Sequence, residues 1–200
     1  MTPEYTLRCE CGVVEGRVAS PHIAARAVCY CRDCQAFARF LGSSERILDS
    51  RGGTDIIATV PRHVHFTRGT EQLRCMRLSD KGLLRWYTAC CRTPIGNTPP
   101  DPGLPYVGLI RSCLPGSARE VDEAFGPARI SLHAGSANGH VSPTRIANVL
   151  GLLKIFRNVA AARLTGAFRD NPFFRSGSAE PISMPETLKP QERSALRGDA

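Results

Sequence analysis

Short runs of apolar and alternating residues, separated by turn residues, fill the first 142 positions of the chain. The runs are rich in β-branched or aromatic side chains and are bounded by Gly, Pro, Asp or Ser, a pattern that favours β-strands. The predicted strands cover residues 6–8, 13–18, 25–28, 56–60, 64–67, 73–78, 83–87, 106–110 and 129–132. This pattern predicts a mainly β domain over residues 1–142.

Two segments of this domain depart from the strand pattern. Residues 35–41 follow a cysteine motif and favour a short helix. Residues 97–105 read NTPPDPGLP, with four prolines in nine positions. Because proline lacks a backbone N–H and fixes its own φ angle, this segment is too proline-rich for a helix or a central strand. We expect an ordered loop there.

The pattern becomes helical near Ser142, which is the expected N-cap, with Pro143 at the first helical position. From Pro143 to about Phe168 the apolar residues recur at the spacing of one helix face: Ile146, Val149, Leu150, Leu153, Phe156 and Ala160. As a helix for a membrane surface or a partner it would be functional. As a helix that packs this face on the sheet, with its arginines in solvent, it would be ordinary structure, and we favour that interpretation.

The chain is thus predicted to have three parts. Residues 1–142 form the β domain, and residues 143–174 form a basic amphipathic helix followed by an aromatic docking turn. Residues 175–200 are polar with little periodicity and are predicted to be disordered.

Composition and charge narrow the function only slightly. The net charge of +8 would attract nucleic acid, anionic lipid or an anionic small molecule, although an arginine-rich composition without such a role explains it equally well. No stretch approaches the roughly 18 apolar residues that would span a bilayer. The N-terminus has neither the basic nor the apolar segment of a secretory signal, so a cytoplasmic protein is expected.

Nine cysteines, all between Cys9 and Cys113, are the strongest chemical signal in the sequence. In a reducing compartment they are expected to stay as thiols or to bind metal, not to form disulfides. Seven of them fall in three motifs, C-x-C at residues 9–11, C-x-C-x-x-C at residues 29–34 and a cysteine pair at residues 90–91. Such close spacing lets one short turn supply two thiolate ligands, which suits zinc.

Counting the ligands separates two kinds of zinc site. Cys9, Cys11, Cys90 and Cys91 make a closed set of four thiolates, typical of a structural zinc. Cys29, Cys31 and Cys34 make a set of three, which leaves a position for water or substrate, as in catalytic zinc sites. We therefore expect two Zn²⁺ ions, one structural and one open.

Other candidate residues carry weaker signals. Cys75 and Cys113 are isolated in apolar, strand-like contexts and are predicted to be core thiols. His63 and His65 would share one face of a strand, where they could complete a metal site, act in proton transfer or simply lie at the surface. No general acid or base near the cysteine motifs is evident, so no catalytic residue is assigned.

The order and spacing of these motifs resemble those of the glutathione-dependent formaldehyde-activating enzyme family, whose superfamily includes centromere protein V. The resemblance covers about residues 5–132. It implies a small zinc-binding β-tent domain built around a structural zinc. It also implies a second zinc on the C-x-C-x-x-C loop that binds a thiol, such as glutathione, and promotes its addition to formaldehyde. The superfamily is classed with the carbon–sulfur lyases.

The third motif departs from that family's C-x-x-C-G-T. Cys91 aligns with its second cysteine, Thr88 stands at the place of the first, and Arg92 replaces the glycine. Cys90 is then the candidate for the missing ligand. These departures and the C-terminal helix indicate a divergent branch, in which the family's activity need not be retained.

Two functions from different classes follow. In the first, the chain is an enzyme of thiol–formaldehyde adducts, in which Arg32 or Arg39 orients the carboxylates of glutathione. Asp33 would then support the cysteine motif or cap the following helix. In the second, it is a non-catalytic, zinc-stabilised binding module for a protein or nucleic acid. Nucleic acid is the less favoured partner, because aromatic and basic residues are not interleaved as in stacking platforms.

Overall fold

The computed structural model describes residues 3–142 and 144–198, which form β-strands and helices along most of the chain. The strands are β1 (Glu4–Arg8), β2 (Glu15–Ala19), β3 (Ala25–Cys29), β4 (Thr54–Thr59), β5 (Val64–Arg68), β6 (Leu73–Arg77), β7 (Leu84–Thr88), β8 (Pro94–Thr98), β9 (Val107–Ile110), β10 (Ile130–Leu132) and β11 (Glu186–Thr187). The α-helices are α1 (Arg32–Phe40), α2 (Ser44–Ile47), α3 (Ala118–Phe125), α4 (Arg145–Leu164) and α5 (Pro190–Arg197). The prediction of a mainly β fold with a C-terminal helix is confirmed.

The strands form two sheets. The smaller is antiparallel, in the order β1-β2-β5. The larger has the order β10-β3-β4-β9-β8-β7-β6-β11; its central strands are antiparallel, and its edge strands β10 and β11 pair in parallel with their neighbours. Short turns connect β1 to β2 and β7 to β8, and both of these turns carry cysteines.

One apolar core contains residues of both sheets. Leu7 of β1 lies in the same buried cluster as Trp86 and Leu109 of the large sheet. Trp86 satisfies its indole N–H by donating to Thr98 Oγ1 at 3.0 Å. Phe173, from the turn after α4, packs on Trp86 with 5.2 Å between ring centroids. This turn is therefore part of the core.

Helix α1 covers the opposite face of the large sheet. Successive strand residues point to opposite faces, so Met76 and Tyr87 point away from the core that holds Trp86. They pack with Phe37 of α1, and the Tyr87 and Phe37 rings meet edge to face at 6.5 Å. Both faces of β7 are thus buried, including the polar residues Arg85 and Thr88, whereas β6 leaves Arg74 exposed.

Each of the nine strands predicted from the sequence has a counterpart. Strand β8 is not among them, and its last two residues fall in the predicted loop. Pro94 occupies its first position, where a missing N–H is tolerated. Gly96 lies so close to the neighbouring strand that a Cβ there would stand 2.9 Å from the Gly108 carbonyl oxygen. In β8, therefore, proline begins the strand and glycine allows the close approach of its neighbour. The predicted loop over residues 97–105 starts only after Thr98.

Helix α4 differs from the prediction in both its start and its orientation. Its N-cap is Thr144, not Ser142, and Pro143 lies outside the described residues. The apolar residues predicted to pack on the sheet are exposed, so that interpretation is wrong: Ile146, Val149, Leu150, Leu153 and Phe156 all face solvent. Among the described residues, no helix is long and apolar enough to cross a membrane.

The stretch after residue 175 also differs from its prediction, because part of it is regular. Strand β11 pairs with β6, and the Leu188 N–H donates to the Arg77 carbonyl at 3.0 Å. Arg39 of α1 donates to the Leu196 carbonyl at 2.6 Å. The docking could not be predicted from this polar sequence, because it depends mainly on one buried apolar side chain, that of Leu188.

Replacing Leu188 by alanine tests whether the C-terminal stretch is part of the folded unit. Since Leu188 packs in the cluster under α1, we expect Leu188→Ala to lower the free energy of unfolding by about 2 kcal/mol. Urea unfolding followed by circular dichroism measures this change. Met184 lies in the same stretch, is 77% exposed and provides the control. Met184→Ala should leave the midpoint of urea unfolding unchanged. Equal midpoints for both variants would show that the stretch does not pack.

Candidate metal centres

The first cysteine group, called here the four-cysteine group, joins the two sheets. Cys9 and Cys11 lie in the turn between β1 and β2, and Cys90 and Cys91 lie in the turn between β7 and β8. Their four Sγ atoms lie within 4.8 Å of one another. The structure therefore brings together the four residues that sequence reasoning assigned to one site.

The sulfur separations fit a tetrahedral zinc ion. Zinc–sulfur bonds of about 2.3 Å place the four sulfurs of a tetrahedron about 3.8 Å apart. The Sγ–Sγ distances are 3.6 Å for Cys9–Cys11, 3.9 Å for Cys9–Cys90, 3.4 Å for Cys11–Cys90 and 3.8 Å for Cys90–Cys91. Cys90 thus lies at a distance that suits the fourth sulfur of such a set.

Hydrogen bonds around this group favour a thiolate at Cys91, whereas burial raises the pKa of Cys9 and raises that of Cys90 to about 12. The Val14 N–H donates to Cys9 Sγ at 3.2 Å. Thr88 Oγ1 and Thr93 Oγ1 lie 3.4 and 3.1 Å from Cys91 Sγ. Burial opposes ionisation of Cys91, but hydrogen bonds from the two threonines and from Cys11 lower the pKa of Cys91 to about 5. Thr88 therefore supports a ligand instead of being one.

Arg92 keeps a backbone conformation that suits glycine. Its φ angle is 55°, in the left-handed region that non-glycine residues rarely adopt. The side chain compensates by anchoring on α1. Its guanidinium donates to the Phe40 and Leu41 carbonyls and lies 5.0 Å from the Phe40 ring centroid. The altered motif thus preserves the turn and adds a contact between the four-cysteine group and α1.

The second group, called here the three-cysteine group, lies where β3 leads into α1. Cys29 is the last residue of β3, Cys31 is the N-cap of α1 and Cys34 lies in its first turn. The Sγ atoms lie within 4.8 Å of one another. Cys29 and Cys34 are buried and Cys31 is partly exposed, so solvent reaches the group beside Cys31.

The cap of α1 explains why this helix begins three residues earlier than predicted. Cys31 Sγ accepts a hydrogen bond from the Cys34 N–H at 3.4 Å, taking the place of the usual oxygen cap. Asp33, which sequence reasoning offered as a helix cap, does not cap α1. Its carboxylate instead pairs with Arg197 of α5 and lies 3.9 Å from Arg85.

The three thiols do not titrate alike. Hydrogen bonds from Cys29 and Cys34 lower the pKa of Cys31 to about 2, and Arg85 contributes in the same direction. Hydrogen bonding to Cys31 and Cys34, together with burial, raises the pKa of Cys29. A single negative charge is therefore favoured on the partly exposed sulfur, and a cation would be needed to ionise all three.

Two residues near the three-cysteine group were not assigned from the sequence. Arg85 is buried in β7, and its charge acts on Cys31 and Cys34. An arginine inside an apolar strand is a signal that could have revealed it. Tyr106 follows the proline-rich loop, and burial, with the charges of Cys34 and Cys29, raises its pKa. Nothing local in the sequence marks Tyr106, because only the fold brings it to the group.

A buried hydroxyl also marks this site. Thr54 lies directly opposite Cys29 in the β3–β4 pair, so both side chains are on the same face of the sheet. Thr54 Oγ1 is buried and has no hydrogen-bond partner within the part of the chain that the structure describes. Because an unpaired buried hydroxyl costs about 1–3 kcal/mol, it fits a site that receives a ligand.

The other candidate residues lie outside both groups. His63 is in the turn before β5, with Nδ1 3.4 Å from Thr59 Oγ1, and His65 is exposed on the small sheet. Cys75 and Cys113 are buried core thiols, and burial raises the pKa of each to about 12. Arg39 contacts Gln35 and α5.

Fold and sites together define a mainly β protein with two cysteine groups that could hold metal ions. The chain belongs to a family of unknown function, DUF6151, whose profile matches residues 1–183. A crystal structure of a Rhodobacter sphaeroides protein from a structural genomics programme is similar at 20% sequence identity and a TM-score of 0.39, over 58% of this chain and 94% of that one. No curated protein matches the chain.

Serine variants test the two groups separately. We expect two zinc ions per chain in the parent and one in either Cys11→Ser or Cys31→Ser, measured by elemental analysis of protein purified without added metal. Cys11→Ser should also lower the melting temperature, because it opens the site that joins the sheets, whereas Cys31→Ser should melt close to the parent. Cys75→Ala is the control, since Cys75 lies in neither group and should retain two zinc ions. A parent that folds without zinc would refute both assignments.

A pair of substitutions at Arg92 separates the backbone from the side chain. Arg92→Gly and Arg92→Ala both remove the anchor on α1, but only glycine adopts the left-handed conformation without strain. We therefore expect Arg92→Gly to be more stable than Arg92→Ala by about 1 kcal/mol in urea unfolding. Equal stabilities would mean that the turn relaxes to another conformation.

Proposed function

We propose that the chain is a zinc protein that forms and cleaves adducts between a small thiol, such as glutathione, and formaldehyde, a carbon–sulfur lyase activity. The observation that carries the proposal is the three-cysteine group. Among the described residues, no histidine, carboxylate or fourth cysteine joins its three sulfurs. Three thiolates leave one position of a tetrahedral ion for an incoming ligand.

The setting of this group supports an open site. Zinc held by Cys29, Cys31 and Cys34 would lower the pKa of an incoming thiol, so that it reacts as a thiolate at neutral pH. Cys31 provides the solvent-accessible side, and the unpaired Thr54 hydroxyl offers a hydrogen-bond donor beside Cys29. Arg85 supplies a buried positive charge that offsets the negative charge of the thiolates.

Tyr106 is the proposed general acid. In the forward reaction the sulfur lone pair forms a bond to the carbonyl carbon, and the electron pair of the carbonyl π bond moves to oxygen. The Tyr106 phenol would donate a proton to that oxygen and recover one that the thiol has lost. In the reverse reaction the hydroxyl of the adduct gives its proton back to Tyr106, the carbonyl π bond re-forms, and the carbon–sulfur bond breaks to release the thiolate. Its raised pKa keeps Tyr106 protonated at neutral pH, as a donor requires.

The four-cysteine group has a different role in this proposal. It belongs to two turns of two sheets, and Cys9 at its inner end lies in the main core. A zinc ion there would stabilise the scaffold and take no part in the reaction. The motif order that resembles the glutathione-dependent formaldehyde-activating enzyme family supports the same division between a structural and an open zinc.

The activity is tested on the zinc-loaded protein with glutathione and ¹³C-labelled formaldehyde. We expect the parent to accelerate exchange between free formaldehyde and the adduct, measured by magnetisation-transfer NMR. Cys31→Ser should lose the acceleration while retaining the other zinc. Tyr106→Phe should keep both zinc ions but exchange about a hundredfold more slowly, because the proton donor is gone. Tyr5→Phe is the matched control, since the Tyr5 phenol donates to the Pro115 carbonyl and has no part in the reaction.

Titration with glutathione separates catalysis from simple binding. The proposal requires binding of glutathione and much weaker binding of S-methylglutathione, whose sulfur cannot ionise. A parent that carries two zinc ions but neither binds glutathione nor accelerates exchange would refute the enzyme proposal. The non-catalytic, zinc-stabilised binding module would then be the better description. If Tyr106→Phe accelerates the exchange as much as the parent does, Tyr106 is not the general acid, and the rest of the enzyme proposal stands.

A further inference from the structure

Helix α4 carries its apolar residues on the outside. Ile146 is 79% exposed, Leu153 58% and Phe156 72%. Together with Val149, Leu150 and Leu164, which are also exposed, they lie on one side of a helix about 30 Å long and form one apolar stripe. Exposed apolar area of this extent marks an interaction surface rather than an ordinary solvent face.

The inner face of α4 is fixed to the protein by polar contacts. Lys154 Nζ donates to the Ala24 carbonyl at 2.5 Å, and Asn158 Nδ2 donates to the Ile23 carbonyl at 2.9 Å. Asn148 Nδ2 donates to the Ser131 carbonyl at 2.9 Å. These contacts satisfy backbone groups at the edge of the sheet. The helix therefore cannot roll its apolar stripe inward without breaking them.

The charged residues of α4 and of the chain on either side of it all have one sign. Between residues 124 and 169 the sequence contains six basic residues and no acidic residue. Arg157 is exposed and lies on α4 beside the apolar stripe, while Arg163 is exposed and donates to the Gly103 carbonyl. Long basic side chains that flank an exposed apolar stripe are typical of helices that lie in the surface of an anionic bilayer.

We propose that the outer face of α4 binds the surface of a membrane containing anionic lipids, with the helix lying in the bilayer plane. The apolar side chains would enter the acyl boundary, and Arg157 would reach lipid phosphates. Pairing with a second copy through the same face fits less well. It would bring Arg157 of both copies together on a surface where α4 offers no carboxylate to pair with them.

Co-sedimentation with unilamellar vesicles tests the proposal on the full chain. We expect binding to phosphatidylcholine vesicles that contain phosphatidylglycerol, little binding to phosphatidylcholine alone, and weaker binding at high salt. The double variant Leu153→Ser/Phe156→Ser should reduce partitioning more than tenfold. Arg157→Gln should reduce it about fivefold. These residues are exposed, so both variants should melt like the parent.

Matched controls use exposed residues outside α4. Val13→Ser/Leu83→Ser removes two exposed apolar side chains, and Arg119→Gln removes an exposed charge. Both should bind vesicles like the parent. Failure to bind anionic vesicles, or equal loss in the controls, would overturn the proposal. So would light scattering that shows a dimer which Leu153→Ser/Phe156→Ser converts to a monomer, because a second copy would then be the occupant.

Discussion

The arrangement of the two sheets depends on the contact between two turns that are far apart in sequence. Cys9 and Cys90 are 81 residues apart, yet their sulfurs lie 3.9 Å from each other. Closing a loop of that length costs conformational entropy, which bonds to a metal ion would offset. The same strands bury Leu7 and Trp86 in one core. The four-cysteine group and the core therefore reinforce each other, since each holds the strands in the register that the other needs.

The three cysteine motifs could be predicted from the sequence because thiol spacing within a motif is a local property, and counting the thiolates then joined residues 9–11 with residues 90–91. Most strands could be predicted from local pattern too. The exceptions are β8, in which Pro94 and Gly96 give the signal of a turn, and β11, which lies in the polar end of the chain. Features set by distant contacts could not be predicted. The Tyr106 hydroxyl lies over Gly108 beside Ile56, which packs with Cys29 and Cys34, and the pairing of β9 with β4 brings these residues together. The polar end of the chain conceals the docking of Leu188.

Helix α4 shows a different kind of failure. Its periodicity correctly predicts a helix. An apolar stripe indicates that one face of the helix makes contacts, but it does not indicate whether the sheet or another molecule makes them. The inner face uses Asn148, Lys154 and Asn158 to satisfy exposed carbonyls, so hydrogen bonding decided which side of the helix faces the sheet. In a helix with apolar residues on several sides, polar positions are the better guide to its docking.

The docking of α5 links the end of the chain to the three-cysteine group. Arg197 pairs with Asp33, which lies between two of the cysteines in the first turn of α1. Any ligand that shifts this turn must therefore also change the free energy with which α5 is held, and the effect is reciprocal. The susceptibility of the last dozen or so residues to a protease would thus report on the state of the distant thiols.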